Sequence, residues 1–142
     1  MVKVGKTRSG ARSELSRPEL SRLETDVMDI VWDLGECSSA QVIAAFSKKR
    51  PLAPTTIRTV LAKLRKKGYL EPIPTIEPGF RLRATVQRES VARRTLKNLV
   101  ASLFGGSPRQ AIAYLLKDEK LNDTDLAEIR RLIDSQRKRS AP

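Results

Sequence analysis

The segment from Pro54 to Gly68 has the most informative side chains in the sequence. Apolar residues recur along it at helical spacing, and the remaining positions are hydroxyl-bearing, small or cationic. These remaining positions include Thr55, Thr56, Arg58, Thr59, Ala62 and Lys63. Short side chains permit close approach to base edges, and an arginine can donate two hydrogen bonds to guanine. The pattern favours a helix whose outward face contacts the bases and phosphates of a DNA major groove. A solvated amphipathic helix has the same pattern and stays open as the alternative.

A second group of cations follows in the stretch 79–84, where apolar and cationic residues alternate. Alternation of this kind is typical of a strand, with Phe80 and Leu82 on one face and Arg81 and Arg83 on the other. Cations on the outer face of a strand can lie along a DNA backbone, where they position a protein without reading sequence. We therefore predict that Arg81 and Arg83 contact phosphates.

Composition excludes most catalytic chemistry. The chain has 142 residues, no His and one Cys, so it lacks an imidazole base, a zinc site of the usual kind and an internal disulfide. It also lacks a glycine-rich phosphate loop and clustered carboxylates, and we expect no enzyme activity, no cofactor and no metal. No apolar run reaches the about 18 residues that span a bilayer. We expect a cytoplasmic protein without membrane insertion.

The net charge of +12 arises from 28 Lys and Arg against 16 Asp and Glu, and the excess is spread along the whole chain. An extended positive charge suits an extended anionic partner such as nucleic acid. Two readings of that partner remain at this point: a specific DNA site, or non-specific nucleic acid bound by a nucleoid-type or RNA-binding protein.

Helix signals surround the informative segment. Ser21 and Glu24 have capping-box spacing at the start of a predicted helix over 21–34, and Ser38 and Gln41 repeat that spacing before a second, short helix. Pro54 and Gly68 mark the start and end of the third. Three helices followed by a hairpin, with its turn at 77–79, predict a winged helix-turn-helix domain over residues 19–86. Prolines at 72 and 74 restrict the first hairpin strand to an edge or to an irregular ribbon. Residues 1–18 are predicted to form a flexible basic arm.

The C-terminal third is predicted to be helical. One helix covers about 88–104, a second begins after Ser107, and a third begins at Asn122 and closes on 137–139. Three short helices are too small to bury their apolar stripes alone, which favours self-association over residues 87–139, with a tail at 140–142. Packing on the winged domain of the same chain is the alternative. The predicted dimerisation residues are Leu96, Leu99, Val100, Leu103, Ile112, Leu115, Leu116, Leu126, Ile129, Leu132 and Ile133.

Several separate motifs, in order, resemble the BlaI/MecI/CopY family of bacterial transcriptional repressors, also called the penicillinase repressor family. The motifs are Leu20-Ser21-Arg22-Leu23-Glu24, Val27-Met28, Val31-Trp32, Gly35, Pro54-Thr55-Thr56-Ile57-Arg58-Thr59, Leu64, Lys66-Lys67-Gly68-Tyr69-Leu70, Gly79-Phe80-Arg81, Phe104-Gly105-Gly106-Ser107 and the helix from Asp125 to Ile133. The resemblance covers about residues 18–135 and implies a mainly α fold with a small β-hairpin wing.

The resemblance also implies a homodimeric repressor on an inverted-repeat operator in double-stranded DNA, with a role in the response to antibiotics. Copper-responsive members carry a C-terminal Cys pair, and this chain ends without Cys, so copper sensing is not expected. Some members are released when a membrane sensor protease cuts an Asn-Phe bond in the dimerisation region. The corresponding place here is Tyr114-Leu115, which implies a different cleavage chemistry.

Overall fold

The computed structural model describes residues 17–76 and 81–141, and these form two compact units that divide between Leu96 and Lys97. The predicted turn at 77–79, Phe80 and residues 1–16 of the predicted arm lie outside the described residues. Arg17 and Pro18, assigned to that arm from the sequence, are instead in contact with the first unit, because Arg17 is 4% exposed and both residues take part in hydrogen bonds to it. The packed unit therefore begins earlier than residue 19.

The first unit contains three helices: α1 (Arg22–Leu34), α2 (Ser39–Ser47) and α3 (Pro54–Lys67). Both predicted capping boxes are confirmed. In α1 the Ser21 N–H donates to Glu24 Oε1 at 2.7 Å, and Ser21 Oγ accepts from the Glu24 N–H. Ser38 and Gln41 form the same pair at the start of α2. These local bonds fix where each helix begins, because they satisfy N–H groups that have no partner inside the helix.

The third helix has the predicted ends. Pro54 occupies the first turn, and Gly68 follows the last turn in a left-handed conformation with φ of 92°. A residue with a Cβ is disfavoured in that conformation, which explains why glycine ends the helix here. The end of α3 is therefore set by sequence as well as by packing.

The strands differ from the prediction in number. Strands β2 (Leu70–Ile73) and β3 (Arg81–Ala84) form the predicted hairpin, and β1 (Cys37–Ser38) adds a third antiparallel strand. The order is β1-β3-β2, so β2 is an edge strand, as its Pro72 requires. A two-residue strand has too few positions to show alternation, and β1 is defined only by its pairing with distant β3.

The core of the first unit lies between the three helices and one face of the sheet. Its buried members come from α1, α2, α3, the three strands and Tyr69. They are Val27, Met28, Ile30, Val31, Cys37, Val42, Phe46, Ile57, Val60, Leu61, Leu64, Tyr69, Leu70 and Leu82. The apolar stripe predicted on α3 is thus confirmed as buried, which turns the opposite face of α3 outward.

The remaining helices are α4 (Arg88–Leu103), α5 (Pro108–Asp118) and α6 (Asp123–Ser140). Ser107 and Asn122 cap α5 and α6 as predicted. The first unit includes the N-terminal part of α4 rather than ending at 86, because Val91 packs against the core and Arg88 pairs with Asp33 on α1. Among the described residues of the second unit, Ala111 is the one buried side chain. The unit from 97 onward therefore has almost no interior of its own.

Candidate nucleic-acid interface

One face of α3 is buried in the core, and the opposite face is therefore exposed to solvent. Ile57 and Leu64 are 1% and 0% exposed, and their spacing directs Arg58 and Lys63 to solvent. Thr55 and Thr59 are also exposed, whereas Thr56 is half-buried. The predicted contact residues of α3 are thus brought to one surface, with Thr56 at its margin.

The cations of this face have no side-chain partner in the part of the chain that the structure describes. Within residues 17–76 and 81–141, Arg58, Lys63, Arg65 and Lys66 form no hydrogen bond or ion pair through their side chains. Cations without internal partners are the ones that can neutralise phosphate or donate to a base edge at little cost. Lys67 differs, because it donates to Glu24 and to the Glu19 carbonyl.

Arg65 and Lys66 are exposed on the same helix and were not among the predicted contact residues. With Arg58, about two turns earlier, they line a groove of about 630 Å³ beside β3. The remaining lining residues are Ser39, Leu61, Ala62 and Leu82. The helical spacing of residues 58, 62 and 65 was the available signal.

One of the threonine hydroxyls already forms a hydrogen bond within the helix. Thr59 Oγ1 donates to the Thr55 carbonyl at 2.9 Å, a bond within the helix. A hydroxyl whose proton is used in this way still accepts a hydrogen bond and can rotate to donate elsewhere. Thr59 therefore offers an acceptor to a base amino group in this structure and becomes a donor to phosphate only by giving up its bond to Thr55.

The two wing arginines have protein partners. Arg81 Nη2 donates to the Glu36 carbonyl at 3.0 Å, and Arg81 is half-buried. Arg83 Nε donates to Glu71 Oε2 at 2.6 Å, and Arg83 Nη1 lies 3.7 Å from Glu36 Oε2. The hydrogen bond and charge of Glu71 raise the pKa of Arg83 above its ordinary value. Arg83 is exposed and faces outward as predicted, and a phosphate that binds it competes with the Glu71 carboxylate for the same guanidinium.

A partly buried ion pair connects α1 to the end of α3. Lys67 Nζ lies 2.6 Å from Glu24 Oε1, and the Glu24 side chain is 5% exposed. Burial raises the pKa of Glu24, but the hydrogen bonds from Lys67 and Ser21 outweigh burial and hold the pKa below its usual value. The carboxylate is thus ionised at neutral pH. It accepts the hydrogen bond that caps α1 and also the bond from Lys67 at the end of α3.

A second set of bonds fixes the chain just beyond α3. The Gly68 carbonyl accepts from Arg17 Nε at 3.1 Å and from Thr85 Oγ1. Tyr69 Oη donates to the Pro18 carbonyl at 2.7 Å. The residues before α1 therefore hold the C-terminal end of α3, a role that no local pattern in the sequence indicates.

The predicted dimerisation residues lie largely on the surface. Val100 and Ile129 are half-buried, and the others are exposed: Leu96, Leu99, Leu103, Ile112, Leu115, Leu116, Leu126, Leu132 and Ile133. Part of this set lines an apolar groove of about 430 Å³ between α5 and α6. Exposed apolar residues in this density are typical of a surface that binds another protein.

Residues 17–76 and 81–141 contain no helix with the length and apolar character needed to cross a membrane.

Three helices with an antiparallel sheet of this order define a winged helix-turn-helix domain, with α3 in the place of the recognition helix.

Comparison with known proteins identifies the family. The penicillinase repressor family matches residues 20–135. The penicillinase repressor of Staphylococcus aureus is 25% identical over 116 residues, which cover 82% of this chain and 91% of that protein. An uncharacterised 16.5 kDa protein of Latilactobacillus sakei is 31% identical over 120 residues, covering 83% of this chain and 80% of that protein. The chain therefore belongs to the penicillinase repressor family, whose members are DNA-binding regulators and not enzymes.

One solved structure is also similar to part of the chain. It is the solution structure of the monomeric form of Bacillus licheniformis BlaI in complex with the blaP half-operator. The two sequences are 29% identical, the match covers 51% of this chain and 88% of that chain, and the TM-score is 0.46.

Proposed function

We propose that this protein is a sequence-specific transcriptional repressor that binds an inverted-repeat operator as a homodimer and occupies the promoter in place of RNA polymerase. The observation that carries the proposal is the outward face of α3. Its Arg58 and Lys63 have no partner among the described residues, and short hydroxyls lie beside them. Such a face can enter a major groove, with Arg58 on a base edge and Lys63 on phosphate.

The wing adds contacts to the DNA backbone. Arg81 and Arg83 lie on β3, next to the groove that Arg58 and Leu82 line. Contacts from this strand are independent of base sequence, because they reach phosphate only. Base preference in the proposed complex therefore comes from α3.

Homodimerisation is supported by the exposed apolar surface of α4, α5 and α6. Leu103, Leu115 and Leu132 are 70%, 57% and 61% exposed in the single chain. Full burial of such a side chain against a second copy contributes about 1.5–3 kcal/mol to the free energy of association, which strongly favours the dimer. A two-fold dimer presents two copies of α3, and an operator with inverted half-sites matches that symmetry.

Release of the operator by proteolysis in α5 is the signal mechanism we favour, with a membrane sensor protease as the partner. Tyr114 and Leu115, whose side chains flank the bond, are 50% and 57% exposed in the single chain, and cleavage would need local opening of α5. Cleavage there would divide the apolar surface between two fragments and so weaken the dimer. Immunoblots of cells exposed to a β-lactam test this step: two fragments that divide near residue 114 are expected, and an intact chain during induction refutes it.

Footprinting of the DNA upstream of the gene and of its neighbours tests the main proposal. Protection of a dyad, with two half-sites on one face of the duplex, is the expected result. Weak uniform protection with a steep salt dependence would refute a specific repressor and favour the second candidate, a non-specific nucleic-acid-binding protein with the same positive charge. Sedimentation equilibrium of the free protein tests the dimer directly.

A further inference from the structure

The wing of this protein holds one of its own cations between carboxylates. Glu71 on β2 is directly opposite Arg83 on β3, so both side chains leave the same face of the sheet. Their nearest atoms are 2.6 Å apart, and Glu36, just before β1, approaches Arg83 from the other side at 3.7 Å. Arg83 is thus flanked by one acid on β2 and by another just before β1.

This arrangement differs from that of the other exposed cations near the proposed interface. Arg58, Lys63 and Lys66 have no side-chain partner among the residues that the structure describes. Glu71 is only 18% exposed in its side chain, whereas Arg83 is 49% exposed. A carboxylate that is largely covered keeps its arginine partner better than one that is free in water, and a charge-assisted bond of this length is strong.

A carboxylate and a DNA phosphate each carry one negative charge, and both accept hydrogen bonds from a guanidinium. A phosphate that approaches Arg83 therefore competes with the Glu71 carboxylate for the charge of the guanidinium and for its Nε donor. The gain from the new contact is reduced by the loss of the old one. The carboxylate left behind would attract a cation from solution, which offsets the counterion that the phosphate releases.

We propose that Glu71 acts as an internal competitor of DNA phosphate for Arg83, and so lowers the affinity of each winged domain for every DNA sequence. This inference rests on the proposed DNA-binding function. Its consequence is that a single domain binds weakly, and operator occupancy depends on two domains bound together. If the association constant of each domain falls by a given factor, the association constant of the dimer falls by the square of that factor. A domain that binds alone dissociates more readily.

The test compares Glu71→Gln with the wild type by fluorescence anisotropy, using the upstream duplex and a scrambled duplex of the same length and composition. Removing the competitor should raise affinity for both duplexes by the same factor, about two- to fivefold per wing, the strength of an exposed ion pair. The slope of log affinity against log salt should steepen by up to about 0.9 per wing. An unchanged preference between the duplexes separates this effect from base reading by α3.

Three further variants make the result specific. Glu128→Gln removes the same charge at an exposed site on α6 and should raise affinity less than Glu71→Gln. Glu36→Gln, at the longer distance, should have an intermediate effect and provides a second measurement if Glu71→Gln does not fold. In an Arg83→Gln background, Glu71→Gln should do no more than Glu128→Gln.

An increase no larger than that of Glu128→Gln, or one that persists without Arg83, overturns the proposal. Failure of the proposed function gives a different result. If the wild type binds both duplexes equally, the proposal of specific repression fails. The effect of Glu71→Gln on affinity can still be measured with either duplex. If the wild type binds no duplex in 50 mM salt, both proposals fail together. Thermal unfolding of each variant verifies that the wing is intact.

Discussion

Replacing Glu24 with glutamine isolates the charge in the contact between α1 and α3. The Glu24 carboxylate accepts from Lys67 Nζ at 2.6 Å and from the Ser21 N–H at 2.7 Å. A glutamine can keep the bond to Ser21, since Gln41 has that role in α2. A hydrogen bond to a charged group contributes about 1.5–3 kcal/mol, and a neutral one about 0.5–1.5 kcal/mol. Because Lys67 is 27% exposed and can regain water, we expect the free energy of unfolding to fall by about 1–2 kcal/mol.

The size of this loss depends on pH in a direction set by the pKa of Glu24. That pKa is lower in the folded protein than its ordinary value, since the bonds from Lys67 and Ser21 outweigh burial. A lowered pKa stabilises the fold at pH values above the unfolded pKa, and the stabilisation is lost as the pH falls through the folded pKa. The unfolded value is about 4.3. The difference between wild type and Glu24→Gln should be full at pH 7 and should shrink below about pH 4.5.

Urea unfolding followed by Trp32 fluorescence measures both effects. Asp26→Asn is the matched control, because it removes the acid of an ion pair between Arg50 and Asp26 whose side chains are 46% and 34% exposed. That pair should contribute less than about 1 kcal/mol. The reasoning is refuted if Glu24→Gln destabilises no more than Asp26→Asn at pH 7, or if the gap to the wild type is the same at pH 3.5.

Three other changes have defined outcomes. Arg58→Ala should lower specific DNA affinity by about 1–3 kcal/mol and relax base preference in a shift assay at fixed salt, and an unchanged preference would remove Arg58 from base reading. Leu115→Glu should convert the dimer to monomer in sedimentation equilibrium, whereas Gln110→Glu, which adds the same charge outside the α5–α6 groove, should leave it intact; a dimeric Leu115→Glu contradicts the proposed surface. Tyr69→Phe removes the donor to Pro18 and should cost about 0.5–1.5 kcal/mol of unfolding free energy, while Tyr114→Phe, at a half-exposed ring, should cost nothing measurable.

Local signals explain what the sequence predicted well. The capping pair of Ser21 and Glu24, the proline at 54 and the glycine at 68 each act within a few residues of the backbone groups that they satisfy. Their positions in the structure are those expected from the sequence. The apolar stripe of α3 was equally readable, because a helix has a fixed period.

Pairing between distant residues explains what was missed. Strand β1 exists through its register with Leu82, forty-odd residues later in the chain. The burial of Arg17 depends on a carbonyl at Gly68, and the partner of Arg83 follows from the register that places Glu71 opposite it. The outward position of Arg83 was predictable from the alternation of apolar and cationic residues. Its ion pair with Glu71 was not, because alternation predicts which face a side chain lies on but not which residues lie beside it.

The burial of Cys37 has a practical use in chemical labelling. Cys37 is the sole cysteine of the sequence and is 1% exposed in β1, where it pairs with Leu82, and burial raises the pKa of its thiol. A protonated and covered thiol reacts slowly with maleimides and disulfide reagents. A cysteine introduced on the outward face of α3 could therefore carry a fluorophore or spin label without removing the native one. Reaction at Cys37 itself would report the opening of the sheet.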